Sequence, residues 1–184
     1  MKAWGGGARF RAGRPSGDDQ MERLPNEKRC AMEMYSALLP IHNILRWVVM
    51  VAAVAAIGFA WHGVATKREW SRGDRLRTVA YVASMHLQLL LGLLLYVQSP
   101  IVSNALEDMG NAMGDTTLRF WAVEHITMMI LAVVVVQVGS IMAKRAEDDA
   151  AKHKRSAIFF TLGLVFILGG LHHVWGTRAL FPGL

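Results

Sequence analysis

The sequence predicts an all-α membrane protein whose four transmembrane helices form an up-down-up-down bundle. Four apolar stretches are each close to the roughly 20 residues that a helix needs to cross a bilayer; they occupy residues 38–61, 79–97, 118–141 and 157–175. Of the 184 residues, 53% are hydrophobic and only 18% are charged, against about 25% charged in soluble domains. This composition excludes disordered, collagen-like and disulfide-rich chains, and the single cysteine cannot close an internal bridge.

The stretches are apolar around the whole helix circumference. The third contains LAVVVVQVG and the fourth contains FFTLGLVFILGG, whereas a helix of a soluble bundle has one apolar and one charged face. The second and fourth stretches carry no charge, the first contains Arg46, and the third contains Arg119 and Glu124. Short connections make consecutive helices antiparallel, which predicts the up-down-up-down order.

The net charge of +6 lies outside the apolar stretches. The connections 66–77 and 143–155 carry five basic residues each, and the connection 99–117 carries none but has three acidic residues. By the positive-inside rule, the two basic connections face the cytoplasm, and the acidic connection and both termini face outward. The basic residues therefore predict contact with lipid headgroups, and we expect no nucleic-acid partner.

Residues 1–33 do not belong to the predicted helices. They hold seven basic residues and glycine-rich sequence such as GGGARFRAGRPSGDD, which predicts a disordered extension. They lack the apolar region of a signal peptide. The transmembrane domain is predicted to span residues 34–184, and a misassigned start, with the true chain beginning near Met34, is an alternative interpretation of the extension.

Ionisable side chains inside apolar stretches are costly and usually mark function. They are His42, Arg46, His86, Arg119, Glu124, His125, His172 and His173. At 1.5 Å per residue, His42 is expected about 6 Å, His125 about 10 Å and His86 about 16 Å below the outer surface. All of these histidines are therefore expected in the outer half, whereas His62 and His153 are expected to be surface residues at the cytoplasmic rim.

Imidazoles at similar depth on facing helices are typical axial ligands of b-type haem. The first and third helices of a four-helix ring are diagonal, so His42 and His125 are the predicted ligand pair, with His86 as the alternative. Arg46 and Arg119 are predicted to pair with the haem propionates, and Glu124 to couple proton movement to electron movement. A simpler interpretation pairs Arg46 with Glu124 and leaves the histidines in interhelical hydrogen bonds.

The segments PIHNILRW, MHLQLLLG, RFWAVEHITMM and AKHKR resemble a group of small bacterial four-helix membrane proteins labelled cytochrome b-like. The resemblance covers about residues 34–168 and implies a bacterial inner-membrane protein. The positions that it singles out are His42, Arg46, Trp47, His86, Gln88, Trp121, Glu124, His125 and His153. The His172–His173 pair and the 33-residue leader depart from the usual pattern of the group, which leaves room for a different ligand set.

The leading functional prediction is a haem b electron-transfer protein that exchanges electrons between quinone and a periplasmic partner. This prediction favours a subunit of an electron-transfer system over a stand-alone enzyme. One alternative is a non-haem subunit of a respiratory complex, or of a homo-oligomer, with a His/Arg/Glu network at a quinone site. Another is a copper or proton carrier whose soft ligands are Met85, His86, His125, Met128 and Met129.

Overall fold

The computed structural model describes residues 25–172, which form seven α-helices and one π-helical turn. The long helices are α1 (Asn26–Thr66), α2 (Arg72–Gln98), α6 (His125–Lys144) and α7 (Asp149–Leu171). The short helices are α3 (Pro100–Glu107), α4 (Met109–Gly114) and α5 (Thr116–Arg119), and the π-helical turn Phe120–Glu124 joins α5 to α6. The predictions for residues 1–24 and for 173–175 lie outside the described residues.

The described residues contain four helical spans long and apolar enough to cross a membrane: Arg29–Thr66, Arg72–Gln98, Thr116–Lys144 and Asp149–Leu171. Large apolar side chains cover their outer surfaces, including Val51 with 70% and Val97 with 78% exposed. Such surfaces suit lipid and not water. The chain is therefore a multi-pass, all-α membrane protein with a four-helix bundle, which confirms the predicted fold class.

The helices extend beyond the predicted apolar stretches. Helix α1 begins at Asn26, so residues 26–33, predicted to be part of a disordered extension, are helical. Helix α7 begins at Asp149, eight residues before the predicted start of the fourth stretch. Backbone hydrogen bonds continue a helix into polar sequence. Hydropathy therefore locates the membrane crossing more accurately than it locates the ends of the helix.

The four long helices form a ring. Helix α1 makes its main contacts with α2 and α7, and α6 makes its main contacts with the same two helices. Helices α1 and α6 are therefore diagonal. The centre of the bundle is filled by fully buried side chains, among them Ala53, Tyr81, Phe120, Ala132 and Phe160. We call the end that carries α3, α4 and α5 the short-helix end, and the end with links 67–71 and 145–148 the basic end.

One buried carboxylate organises the link between α1 and α2 at the basic end. Asp74, 4% exposed, accepts hydrogen bonds from both Arg68 Nη atoms at 2.6 and 2.7 Å and from Arg77 Nη1 at 3.0 Å. It also accepts from the backbone N–H of Ser71 at 2.9 Å, while the Ser71 side chain caps α2 in return. The pKa of the Arg68 guanidinium is raised by its hydrogen bond to Asp74.

We expect Asp74→Asn to lower the free energy of unfolding by about 2 kcal/mol, because two arginines lose their charge partner while the capping geometry survives. Thermal unfolding in detergent measures the loss. Asp148→Asn is the matched control, because Asp148 is an exposed aspartate that caps α7 by accepting from the Ala151 N–H. Equal melting temperatures for the two variants would contradict the role given to Asp74.

His153 does not lie on the surface, contrary to the prediction, whereas His62 is exposed as predicted. The His153 side chain is fully buried; its ring packs against Trp70, with centroids 4.9 Å apart, and directly against Gly63 of α1. The prediction was wrong because α7 begins at Asp149, which places His153 one turn inside the helix on the face that packs against α1.

Candidate functional site

A cavity of about 120 Å³ lies in the short-helix half of the bundle and is open to the surface of the bundle. Its walls come from all four long helices, and Val102 of α3 and Trp121 of the π-helical turn also line it. Most of the lining is apolar. The polar or charged side chains in the wall include those of His42, Asn43, Arg46, Gln88, Tyr96 and His125.

Helix α1 contributes His42 and Arg46, which lie one turn apart and therefore share a face. Pro40 lies inside this helix and removes one backbone hydrogen bond two residues before His42. The imidazole of His42 lies against Gly92 of α2, where an added Cβ atom would be 3.2 Å from His42 Cε1. A glycine at this point lets the ring fit between the two helices.

The π-helical turn comes immediately before His125. A π-turn inserts one extra residue into a helix and often occurs at functional sites. The turn is fastened to α2, because the Tyr96 hydroxyl donates to the backbone oxygen of Ala122 at 2.9 Å. Trp121 and Phe120 then contact the His125 ring, with centroids 5.4 and 5.7 Å away. The local backbone thus directs His125 towards the cavity.

The proton of the His125 imidazole is located by its hydrogen bond to α7. His125 Nδ1 lies 2.8 Å from the backbone oxygen of Gly170. A carbonyl oxygen only accepts, so Nδ1 carries the proton and Nε2 carries the lone pair. The rings of His42 and His125, on diagonal helices, line one cavity.

The proton of the His42 imidazole is located by Gln88. The amide nitrogen of Gln88 lies 3.1 Å from the backbone oxygen of His42 and 3.1 Å from His42 Nε2. The carbonyl only accepts, which identifies the amide nitrogen as the donor, and an amide nitrogen cannot accept. His42 Nε2 therefore accepts, and the neutral ring carries its proton on Nδ1.

Two polar atoms that belong to residues of the cavity lining are buried without a hydrogen-bond partner in the described part of the chain. They are His42 Nδ1, a donor, and Gln88 Oε1, an acceptor. Leaving such groups unpaired costs roughly 1–3 kcal/mol each, so buried unpaired groups call for an explanation. A ligand that supplies both an acceptor and a donor removes this cost.

The structure brings together three of the six predicted site residues. His42, Arg46 and His125 line the cavity, and the Arg46 guanidinium lies 5.8 Å from the centre of the Trp47 ring. His86 is exposed on the other face of α2, where its Nδ1 donates to the backbone oxygen of Val82 at 2.8 Å. His86 and His125 therefore do not line the same site, and the alternative ligand pair His86–His125 does not form.

Arg119 and Glu124 lie outside the cavity wall and pair with each other. Arg119 Nε donates to Glu124 Oε1 at 2.6 Å, and their side chains are 34% and 33% exposed. This pair replaces the predicted contact between Arg46 and Glu124. His172 is also exposed and its Nδ1 donates to the backbone oxygen of Gly169, whereas His173 lies outside the described residues.

We expect Glu124→Gln to change the free energy of unfolding by less than about 1 kcal/mol, because a partly exposed ion pair contributes little. Ligand binding in the cavity should change less than twofold, since Glu124 does not line it. Thermal unfolding and a binding titration of the variant measure the two effects. A loss of binding larger than twofold would contradict the separation of Glu124 from the cavity.

Haem b fits this arrangement only in part. His125 has the hydrogen bond that metal-ligating histidines usually make through the other ring nitrogen. His42 Nε2, however, is occupied by Gln88, and the cavity of about 120 Å³ is comparable with the roughly 150 Å³ that holds one benzene ring. A macrocycle of four pyrrole rings is larger than one benzene ring and would have to extend through the open side of this cavity.

No group of three or more His, Cys, Asp or Glu side chains within residues 25–172 is placed to hold a metal ion. Of the soft ligands predicted for a copper carrier, Met85, His125 and Met129 line the cavity, whereas His86 does not, so these ligands do not surround one site. Gln88 was not in the predicted ligand set, because its amide is polar but not ionisable. Its signal is a polar amide within a mostly apolar, uncharged stretch, SMHLQLLLG.

The fold and the cavity define a class: a multi-pass membrane protein whose four-helix bundle holds a mostly apolar, ring-sized cavity with a few polar groups. No protein family, curated protein or solved structure matches the chain. Its function is therefore inferred from the cavity itself.

Proposed function

We propose that the protein is a quinone-binding redox subunit of the bacterial inner membrane, with its cavity in the periplasmic half. The observation that carries this proposal is the unpaired donor of His42 and the unpaired acceptor of Gln88 in the wall of a ring-sized apolar cavity. A quinone headgroup is one flat apolar ring with oxygen atoms at opposite edges; its carbonyl oxygens accept from a donor such as His42 Nδ1–H, and the hydroxyl groups of its reduced form can also donate to an acceptor such as Gln88 Oε1. The lipid-soluble tail of a quinone matches the exposed apolar surface of the bundle.

The wall residues have separable roles in this proposal. His42 Nδ1–H donates to one oxygen of the ring, and the positive charge of Arg46, in the same wall, stabilises negative charge that develops on the ring during reduction. Apolar residues of the wall, among them Val49, Met85 and Val133, hold the ring and exclude water. Reduction of the quinone to the hydroquinone takes two electrons and two protons, and the electrons would come from a redox-active subunit of a respiratory complex.

The test is a calorimetric titration of the purified full-length protein in detergent with a benzoquinone that carries a ten-carbon alkyl chain. Saturable binding of one molecule per chain is the expected result. The control is an alkylbenzene with the same chain, which partitions into the detergent equally well but lacks the oxygen atoms and should bind at least tenfold more weakly. Equal binding of both compounds contradicts the proposal.

A haem b electron-transfer protein is the second candidate, and the hydrogen bond from His125 Nδ1 to Gly170 is the observation that favours it. His125 would hold the iron through Nε2, His42 would do so once its Nε2 is released from Gln88, and the haem would supply one-electron chemistry. A reduced-minus-oxidised optical spectrum of the haem-supplied protein tests this candidate. A b-type α-band that disappears in His42→Ala and His125→Ala but persists in His86→Ala supports haem, and the lack of any such band removes it.

A further inference from the structure

We infer that the cavity selects the reduced form of its ligand, a hydroquinone, over the oxidised quinone. This inference rests on the proposed function and specifies the redox state that the site prefers. It derives from the two unpaired atoms of the α1–α2 wall, His42 Nδ1 and Gln88 Oε1, which are both buried.

The protonation of these two atoms is determined by their surroundings. Gln88 donates to the backbone oxygen and to Nε2 of His42, so its amide cannot turn over without losing both hydrogen bonds. The same contacts keep the His42 proton on Nδ1. The two lining residues therefore hold one unpaired donor and one unpaired acceptor, and a local flip of the amide does not convert them into two donors.

The two redox forms differ in what they offer to this wall. A quinone carbonyl oxygen carries only lone pairs, so it accepts from His42 Nδ1–H and leaves Gln88 Oε1 buried and unpaired. A hydroquinone hydroxyl accepts one hydrogen bond and donates another. The reduced form can therefore satisfy both atoms, whereas the oxidised form can satisfy one.

A buried acceptor left unpaired weakens binding about tenfold. Sites built to hydrogen-bond a hydroxyl group discriminate against ligands that lack it for the same reason. Tighter binding of the reduced form raises the midpoint potential of the bound couple. For a two-electron couple, a tenfold preference corresponds to about 30 mV.

The experiment compares three ligands with the same ten-carbon chain under anaerobic conditions: the benzoquinone, its hydroquinone and the dimethyl ether of the hydroquinone. The ether retains both oxygen acceptors and has no donor. We expect the hydroquinone to bind the full-length protein about tenfold more tightly than the quinone or the ether. The midpoint potential of the bound couple should rise by about 30 mV relative to the couple in detergent alone.

Gln88→Met removes the acceptor at similar side-chain size and should reduce the preference for the hydroquinone to threefold or less. Gln98→Met is the matched control, because Gln98 lies on the same helix but does not line the cavity; this variant should keep the full preference. Thermal unfolding confirms that both variants are folded.

The outcomes separate this inference from the proposed function. Binding of both redox forms within threefold of each other, or tighter binding of the quinone, overturns the inference and leaves the quinone site intact. A preference that survives in Gln88→Met overturns the role of Gln88 and with it the inference. If none of the three ligands shows saturable binding, the proposed function itself fails.

Discussion

Replacing His42 with leucine is expected to weaken binding of the benzoquinone at least tenfold, which is the largest functional effect that we expect from one side chain. Leucine removes the Nδ1 donor, leaves Gln88 without its contact to Nε2, and exposes the ligand oxygen to an apolar wall. A ligand carbonyl buried without a donor costs roughly 1–3 kcal/mol. Calorimetric titration of the variant with the benzoquinone measures the change.

His86→Leu is the matched control for this experiment. It is the same substitution, also in a membrane-spanning helix, at a histidine that is exposed on the other face of α2. We expect unchanged binding and equal or higher thermal stability, because leucine suits lipid better than imidazole does. The assignment of the site to the cavity fails if His86→Leu loses binding while His42→Leu retains it.

The largest effect on stability is expected from Gly63→Ala, which should lower the free energy of unfolding by about 3 kcal/mol. A Cβ atom at Gly63 would overlap the His153 ring, and this ring is fully buried and contacts Trp70 on another side. The ring therefore has little room to move away. Helix α1 would have to separate from α7, which would open the packing of the basic end.

Gly58→Ala in the same helix is the control, because a Cβ atom there meets nothing within 4 Å. Alanine favours a helix over glycine by about 1 kcal/mol, so this variant should be equally stable or more stable than the native chain. Thermal unfolding in detergent compares the two. Adding His153→Ala to Gly63→Ala should restore part of the stability, and a Gly63→Ala variant that melts at the native temperature would contradict the close contact.

Much of the bundle was predictable because crossing a bilayer constrains composition directly. Each span must be apolar over about 20 residues, and four such stretches are visible in the sequence. Helix ends were less predictable, as at Asn26 and Asp149, because polar residues outside the lipid also form helix. The confirmed class thus comes from hydropathy, whereas the exact bounds depend on local hydrogen bonding and capping.

The position of the candidate site residues along their helices was predictable from the sequence, but the direction in which their side chains point was not. His42 and His125 were predicted within a few ångströms of each other in depth, and both line the cavity, as does Arg46. His86 was predicted for the same site, yet it points away, because an apolar helix without a polar face gives no sign of how it is rotated. Gln88, two residues later, faces the cavity instead.

The sequence by itself determined that this protein crosses a membrane four times and where along each span its rare ionisable groups lie, since burial in lipid permits few polar side chains. Only the tertiary structure decided which of these groups meet: the π-helical turn directs His125 inward, Gly92 admits the His42 ring, and Gly63 admits His153. The physical reason is that depth depends on position along one helix, whereas contact depends on the rotation and separation of two helices. The rotation and the separation of the helices are determined by packing between residues that are distant in the chain.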